Sequence, residues 1–341
     1  MIALEQSVGC LLGLSLGDAY GARYEGGVLE RWLWRWIGTT QAGELRWTDD
    51  TQMSIDLVES YLATGGVDQD DLAARFAGSY RWSRGYGPGT ARVLRRIAAG
   101  CDWRQAAQSV HAGGSFGNGA AMRAPVIGLI HVHRPDELAL AAERSAVVTH
   151  AHPLAIEGAV LIAGATAAAL RGDSSATILD SVSAAVSRPE LADRLSIARD
   201  WLESGRVAGT RDVVRTLGNG VAAQASCVTA VYLALRYRDQ PLVDLLEFVA
   251  TCGGDTDTIS AMAGAIWGAV NGRGKLPEAW LSRLEQRDRI VALGEALHDR
   301  IHERNEATLE RGGSALLGKP AVAPGTRRHA DTKGLTSKHG G

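Results

Sequence analysis

Apolar residues along this chain recur at spacings of three and four. Met53, Ile55, Leu57, Val58, Tyr61 and Leu62 fall within one short run, the period that turns one face of an α-helix inward. The same rhythm runs through residues 3–16, 69–80, 90–99, 103–110, 136–147, 153–170, 174–187, 190–203, 210–216, 222–236, 241–250, 259–270, 277–284 and 288–309. Alternating runs of the kind a half-buried strand needs are nearly absent. Gly, Pro and polar clusters separate the helical runs, and none inside 1–310 reads as an interdomain linker. The pattern predicts an all-α protein around one large core, with a single domain over 1–311.

Past Gly312 the pattern stops. Residues 312–341, ending RRHADTKGLTSKHGG, hold too little apolar surface to offset their ordering entropy, so a disordered basic tail is expected. In the whole chain of 341 residues, 45% are hydrophobic and 22% charged, ordinary values for a globular protein. A formal net charge of −2 argues against a broad phosphate-binding surface, so no nucleic-acid partner is expected. No uncharged apolar run reaches the roughly 18 residues of a membrane span; the best, Ala159 to Leu170, ends at Arg171. No basic region precedes an apolar segment at the N-terminus. Cys10, Cys101, Cys227 and Cys252 are far apart with no C-x-x-C spacing, which fits free thiols. A cytoplasmic, monomeric protein with no membrane partner is the expectation.

Two acidic clusters precede helical runs: WTDDTQM at 47–53 and GGDTDTIS at 253–260. Either alone reads as helix capping, since Asp and Thr accept bonds from the free N–H groups of a first turn. Capping needs one such residue, whereas each cluster brings two aspartates with hydroxyls beside them. On a helix start Asp49 and Asp50 diverge by about 100°, and Asp255 and Asp257 follow two glycines that free the backbone. Carboxylate and hydroxyl oxygens are hard ligands suited to Mg²⁺ or Mn²⁺, and a pair of such ions can activate water between them. Thr256, between the two aspartates, is placed to cap.

Four further stretches carry chemistry. HAGGSFGNGAAMRAPVIGL, 111–129, has Gly113, Gly114, Gly117 and Gly119 ahead of a helical apolar run; such a loop can turn its N–H groups toward an anion, or make a tight helix–helix turn. It lacks the lysine of a P-loop. LGLSLGDAYGARYEGG, 12–27, contains Asp18 and Glu25, either tuned acid–base groups or surface or capping carboxylates. VVTHAHPLAIEGAV, 147–160, places Thr149, His150 and His152 before Pro153, a first-turn proline. SRGYGPGTARVL, 83–94, is a Gly and Pro loop in which Tyr86 can wall a pocket.

In this order the six stretches resemble the ADP-ribosylglycohydrolase family, which includes the dinitrogenase-reductase-activating glycohydrolases. They span residues 12 to 260. The resemblance implies an all-α, compact orthogonal multi-helix bundle with a binuclear Mg²⁺ or Mn²⁺ centre in a cleft. It implies removal of ADP-ribose from an arginine or serine side chain of a modified protein, or from a small conjugate, by water activated at the two ions. The family's metal ligands fall on Thr48, Asp49, Asp50, Asp255, Asp257 and Thr258. Its glutamate near the first helix falls on Glu25, with Asp49 or Asp50 as competing catalytic carboxylates. Its phosphate and ribose loop falls on Gly114, Ser115, Phe116, Gly117 and Asn118, and its Thr-His element on Thr149 and His150. Trp32, Trp34 and Trp36 match no family pattern; they form either a lip over the cleft that encodes substrate choice or part of the core. Two readings compete: a non-catalytic ADP-ribose-binding or structural protein on this fold, which missing ligands would have favoured, and a metal-dependent nucleotide phosphohydrolase.

Overall fold

Every helical run read from the spacing forms a helix. The computed structural model describes residues 2–26, Trp34, 38–110 and 112–317, with side chains as far as Glu306. Its helices are α1 (Leu4–Gly21), α2 (Asp49–Thr64), α3 (Gln69–Ser79), α4 (Pro88–Ala98), α5 (Trp103–Gln108), α6 (Ala124–Ile130), α7 (Pro135–Val147), α8 (Pro153–Leu170), α9 (Ser175–Ala184), α10 (Pro189–Glu203), α11 (Thr210–Thr216), α12 (Cys227–Arg236), α13 (Leu242–Cys252), α14 (Thr256–Asn271), α15 (Glu278–Leu281) and α16 (Arg287–Leu317). Among the described residues β-structure amounts to three isolated bridges. The protein is an all-α multi-helix bundle.

Two departures from the spacing have local causes. The run at 222–236 becomes α-helical only from Cys227, after a single 3-10 turn at Ala223–Ala225, because the segment before it pairs with the glycine loop. Asn118 N–H donates to Val221 O at 2.9 Å and Ala223 N–H to Phe116 O at 3.0 Å. The run at 277–284 is cut to four residues, and Leu284 bridges to Leu45 instead.

The centre of the fold is an antiparallel pair, α1 against α14. Gly9, Gly13, Gly17 and Gly21 recur every fourth residue on one face of α1. A Cβ at Gly13 would lie 2.2 Å from Gly264 O, at Gly17 2.1 Å from Ser260 O, and at Gly21 2.3 Å from Thr256 O. No side chain fits there, so the backbones touch. The C-terminal end of α1 is thereby held against the N-terminal end of α14, and Thr256 Oγ1 donates to Gly21 O at 2.8 Å. Beside this pair, α8 packs against α6, α7, α9 and α14. It is long and apolar enough to cross a membrane, but 78% of it is buried inside the protein, where it serves as a core helix.

Residues 1–301 form one compact unit, and 302–341 form a second. Within the second, helix continues to Leu317, past the boundary expected at 311–312; residues 318–341 lie outside the described residues. Of the three alternating tryptophans, Trp32 and Trp36 lie outside them too, while Trp34 is buried, as the core reading has it.

Candidate active site

Asp18, three residues from the end of α1, is fully buried and organises the first acidic cluster. Its Oδ2 accepts from the N–H of Thr51 at 3.0 Å and from Thr51 Oγ1 at 2.5 Å; its Oδ1 accepts from Thr48 N–H at 3.0 Å and Thr48 Oγ1 at 2.7 Å. The carboxylate thus satisfies N–H groups at the start of α2 from a distant helix and fixes the direction in which Asp49 and Asp50 leave it. Thr48 caps α2 as well, accepting from Asp50 N–H at 3.4 Å. Behind Thr48, Arg84 stacks 3.6 Å over the Trp47 ring and pairs with Glu285 through bonds of 2.7 and 2.8 Å, so the chain entering the cluster is clamped.

The second cluster is set by a turn at Gly253 and Gly254, both at positive φ. A Cβ at Gly254 would lie 2.1 Å from Asn219 O, and Asn219 uses that closeness. Its carbonyl accepts from Asp255 N–H at 2.8 Å, and its amide donates to the carbonyls of Cys252 and Gly253. Asp255 is then fixed by Asn118, whose Nδ2 donates to Asp255 Oδ2 at 2.5 Å and to Ser226 Oγ at 3.0 Å. Asp257 Oδ1 accepts from Thr258 N–H at 2.8 Å. Thr256 is not the cap of this helix: its hydroxyl is taken by Gly21 O.

The two clusters meet. Thr258 Oγ1 donates to Asp50 Oδ1 at 3.3 Å, and oxygens of Glu25, Asp255 and Asp257 lie within 4.8 Å of one another. Asp50 Oδ2 is buried with no hydrogen-bond partner. Burial pushes the pKa values of Asp49, Asp50 and Asp257 well above the usual carboxylate range. Neighbouring carboxylates push the same way, Asp18 first for Asp49 and Asp50, Glu25 first for Asp257. Asp255 is raised by burial against the opposing bond from Asn118. Converging carboxylates with an unsatisfied buried oxygen and hydroxyls beside them, free of thiolate, form a donor set that fits a hard divalent cation. The group can bind a metal.

A cavity of about 230 Å³ opens onto these groups. Glu25, Asp49, Asp255, Asp257 and Thr258 line it together with Ser115, Gly117, Asn118, Gly119, His150, Gly85, Gly87 and Pro88. Thr48 and Asp50 lie buried behind the wall. Tyr86 is also buried, its ring edge-on to Tyr80 at 4.9 Å, and it does not line the cavity. Phe116 is half exposed, its ring 5.9 Å from that of His152. Gly114, at positive φ, packs on the backbone at Ala151 and His152. The glycine loop is not a row of free N–H groups: Gly117 N–H donates to Ser115 Oγ at 3.2 Å and Asn118 N–H to Val221 O.

Sequence reasoning gave Asp18 no definite role and passed over Thr51, Asn219, Ser226 and Arg123. Their partners lie on other elements, so no local pattern marks them. The exception is Arg123, a lone charge inside the apolar run AAMRAPVIGL, a signal that burial would demand an explanation.

A family model described as ADP-ribosylglycohydrolase matches residues 2–307, and the chain belongs to that family. It is a glycohydrolase. The chain is 34% identical to the ADP-ribosylhydrolase ARH3 of Bos taurus and 33% identical to that of Homo sapiens, in each case over 87% of this chain and 93% of the relative. A solved structure titled ADP-ribosylglycohydrolase-related protein complex superposes with a TM-score of 0.66 at 27% identity, covering 87% of this chain and 98% of that one.

Proposed function

We propose that this protein hydrolyses the glycosidic bond joining ADP-ribose to an arginine or serine side chain, or to a small conjugate, at a centre of two Mg²⁺ or Mn²⁺ ions. The observation that carries this reading is the meeting of the two acidic clusters at the cavity, in a chain of this family. Thr48, Asp49, Asp50, Asp255, Asp257 and Thr258 would hold the ions. Bound there, the ions would supply polarisation of ribose hydroxyls and of a water.

The rest of the chemistry belongs to the chain. Negative charge fixed around the ribose favours an oxocarbenium-like transition state, and its carboxylates need no rearrangement as charge develops. Glu25 sits just past the end of α1 on the cavity wall, placed to take a proton from the attacking water and return it to the leaving group. A cavity of about 230 Å³ is smaller than the roughly 300 Å³ or more of a pocket that encloses a whole ligand. It suits the ribose at the scissile bond, with the remainder of the substrate running past His150 to the rim, where Phe116 and Val221 are exposed.

Incubating the protein with ADP-ribosylated arginine and serine peptides, with and without Mg²⁺ or Mn²⁺, tests this. Free ADP-ribose is the expected product. AMP would replace the reading with phosphohydrolysis, and binding without product would make the protein a non-catalytic binder.

A further inference from the structure

Arg123 immediately precedes α6 and is completely buried, yet no carboxylate lies within ion-pair distance of it among the described residues. A buried charge without a direct ion pair is costly, even with Asp49 favouring it from beyond ion-pair distance, so packing alone does not account for an arginine here. Its guanidinium lies 4.9 Å over the Phe76 ring and is spent entirely on neutral acceptors. Nη1 donates to Gly119 O, Nε to Ser145 Oγ at 3.3 Å, and Nη2 to Ser145 O at 2.8 Å and Thr149 Oγ1 at 3.0 Å. One side chain therefore ties the turn that carries Asn118 and Gly119 to the end of α7 and to the residue before His150.

The direction of these bonds has a chemical consequence. A guanidinium only donates, so Thr149 Oγ1 is an acceptor toward Arg123. With one lone pair of Thr149 Oγ1 taken by Arg123, its hydroxyl hydrogen is available to its other neighbour, His150 Nδ1, at 2.8 Å. In that pairing Nδ1 accepts, and the hydrogen of the neutral ring sits on Nε2. That edge of the ring packs on the glycine wall: a Cβ at Gly119 would lie 2.9 Å from Nε2 and one at Gly117 3.3 Å from it. We infer that Arg123 is a positioning residue, which through Thr149 fixes His150 as the Nε2–H tautomer, so that His150 meets a substrate oxygen as a hydrogen-bond donor and not as a base. The tautomer stands on the polar network; its use toward a substrate oxygen rests on the function proposed above.

Long-range ¹H–¹⁵N correlation of the imidazoles in the ¹⁵N-labelled full chain reads the tautomer, with His150 assigned by His150→Asn. Wild type and Thr149→Ser should show an unprotonated, pyridine-like Nδ1 and a pyrrole-like Nε2. Thr149→Val, which keeps the shape and removes the hydroxyl, should give mixed tautomers, as should Arg123→Met if it folds. In parallel, Thr149→Val should raise KM for an ADP-ribosylated peptide by about tenfold, the worth of roughly one hydrogen bond, with kcat little changed and Thr149→Ser restoring KM. A wild-type Nδ1–H tautomer, or a Thr149→Val spectrum identical to wild type, overturns the inference. An inactive wild type with the expected tautomer would instead remove the proposed function and leave the tautomer assignment standing.

Discussion

Asp18 shows how one buried side chain can govern a site it does not line. It accepts two main-chain N–H groups and two hydroxyls from the start of α2, and its charge also raises Asp49 and Asp50. Asp18→Asn would relieve that repulsion but would turn an amide N–H₂ toward donors. Hydrogen bonds to a charged acceptor are worth about 1.5–3 kcal/mol each, so the loss outweighs the relief. A fall of about 2–3 kcal/mol in unfolding free energy by urea titration is expected, and an unchanged midpoint would contradict the role given to Asp18. Asp56, on the same helix but away from the clusters, gives a pH signature. Burial lifts its pKa to about 6 despite bonds from Ser79 and Gln52. A carboxyl raised in the folded state binds its proton more tightly there than in the unfolded chain. Its contribution is full below the unfolded value near 4, and is lost as pH rises through about 6. The stability of wild type relative to Asp56→Asn should therefore drop between pH 4 and 7, by up to about 3 kcal/mol; a pH-independent difference would place the Asp56 pKa in the ordinary range.

At the scale of elements, the antiparallel contact of α1 and α14 brings Glu25 to Asp255 and Asp257. The helical run after the second acidic cluster was legible from its spacing, but its partner was not. The helical run read over 3–16 already contains Gly9 and Gly13, but only the tertiary contact shows that each of the four α1 glycines faces a backbone. The same limit explains the rest of the comparison. Helix positions followed from the apolar period, and the acidic clusters from residue type. The pairing of 116–118 with 221–223, the staple at Asn219 and the burial of Tyr86 depend on contacts between distant segments. Gly17→Val would place a side chain against Ser260 O and should cost at least about 3 kcal/mol, at the upper end for overpacked cores. Gly66→Ala, where a Cβ meets nothing within 4 Å, should stay within about 0.5 kcal/mol of wild type. Equal thermal stability of the two variants would contradict a backbone-to-backbone interface.

Across the whole molecule, the bundle holds carboxylates together against their own repulsion, and divalent cations would relieve it. At concentrations about 100-fold above Kd, binding to the folded state adds about 2.7 kcal/mol, so Mg²⁺ or Mn²⁺ should raise Tm by about 5 °C where K⁺ at equal ionic strength does not. The most direct measurement joins that cation effect to turnover: free ADP-ribose released from an ADP-ribosylated peptide, titrated with Mg²⁺ or Mn²⁺, for wild type and for Asp257→Ala. The predicted result is saturable, chelator-sensitive release by wild type, with cation binding and release both lost in Asp257→Ala. Retained release by that variant with an unchanged cation dependence would contradict a hydrolytic centre built from the two acidic clusters.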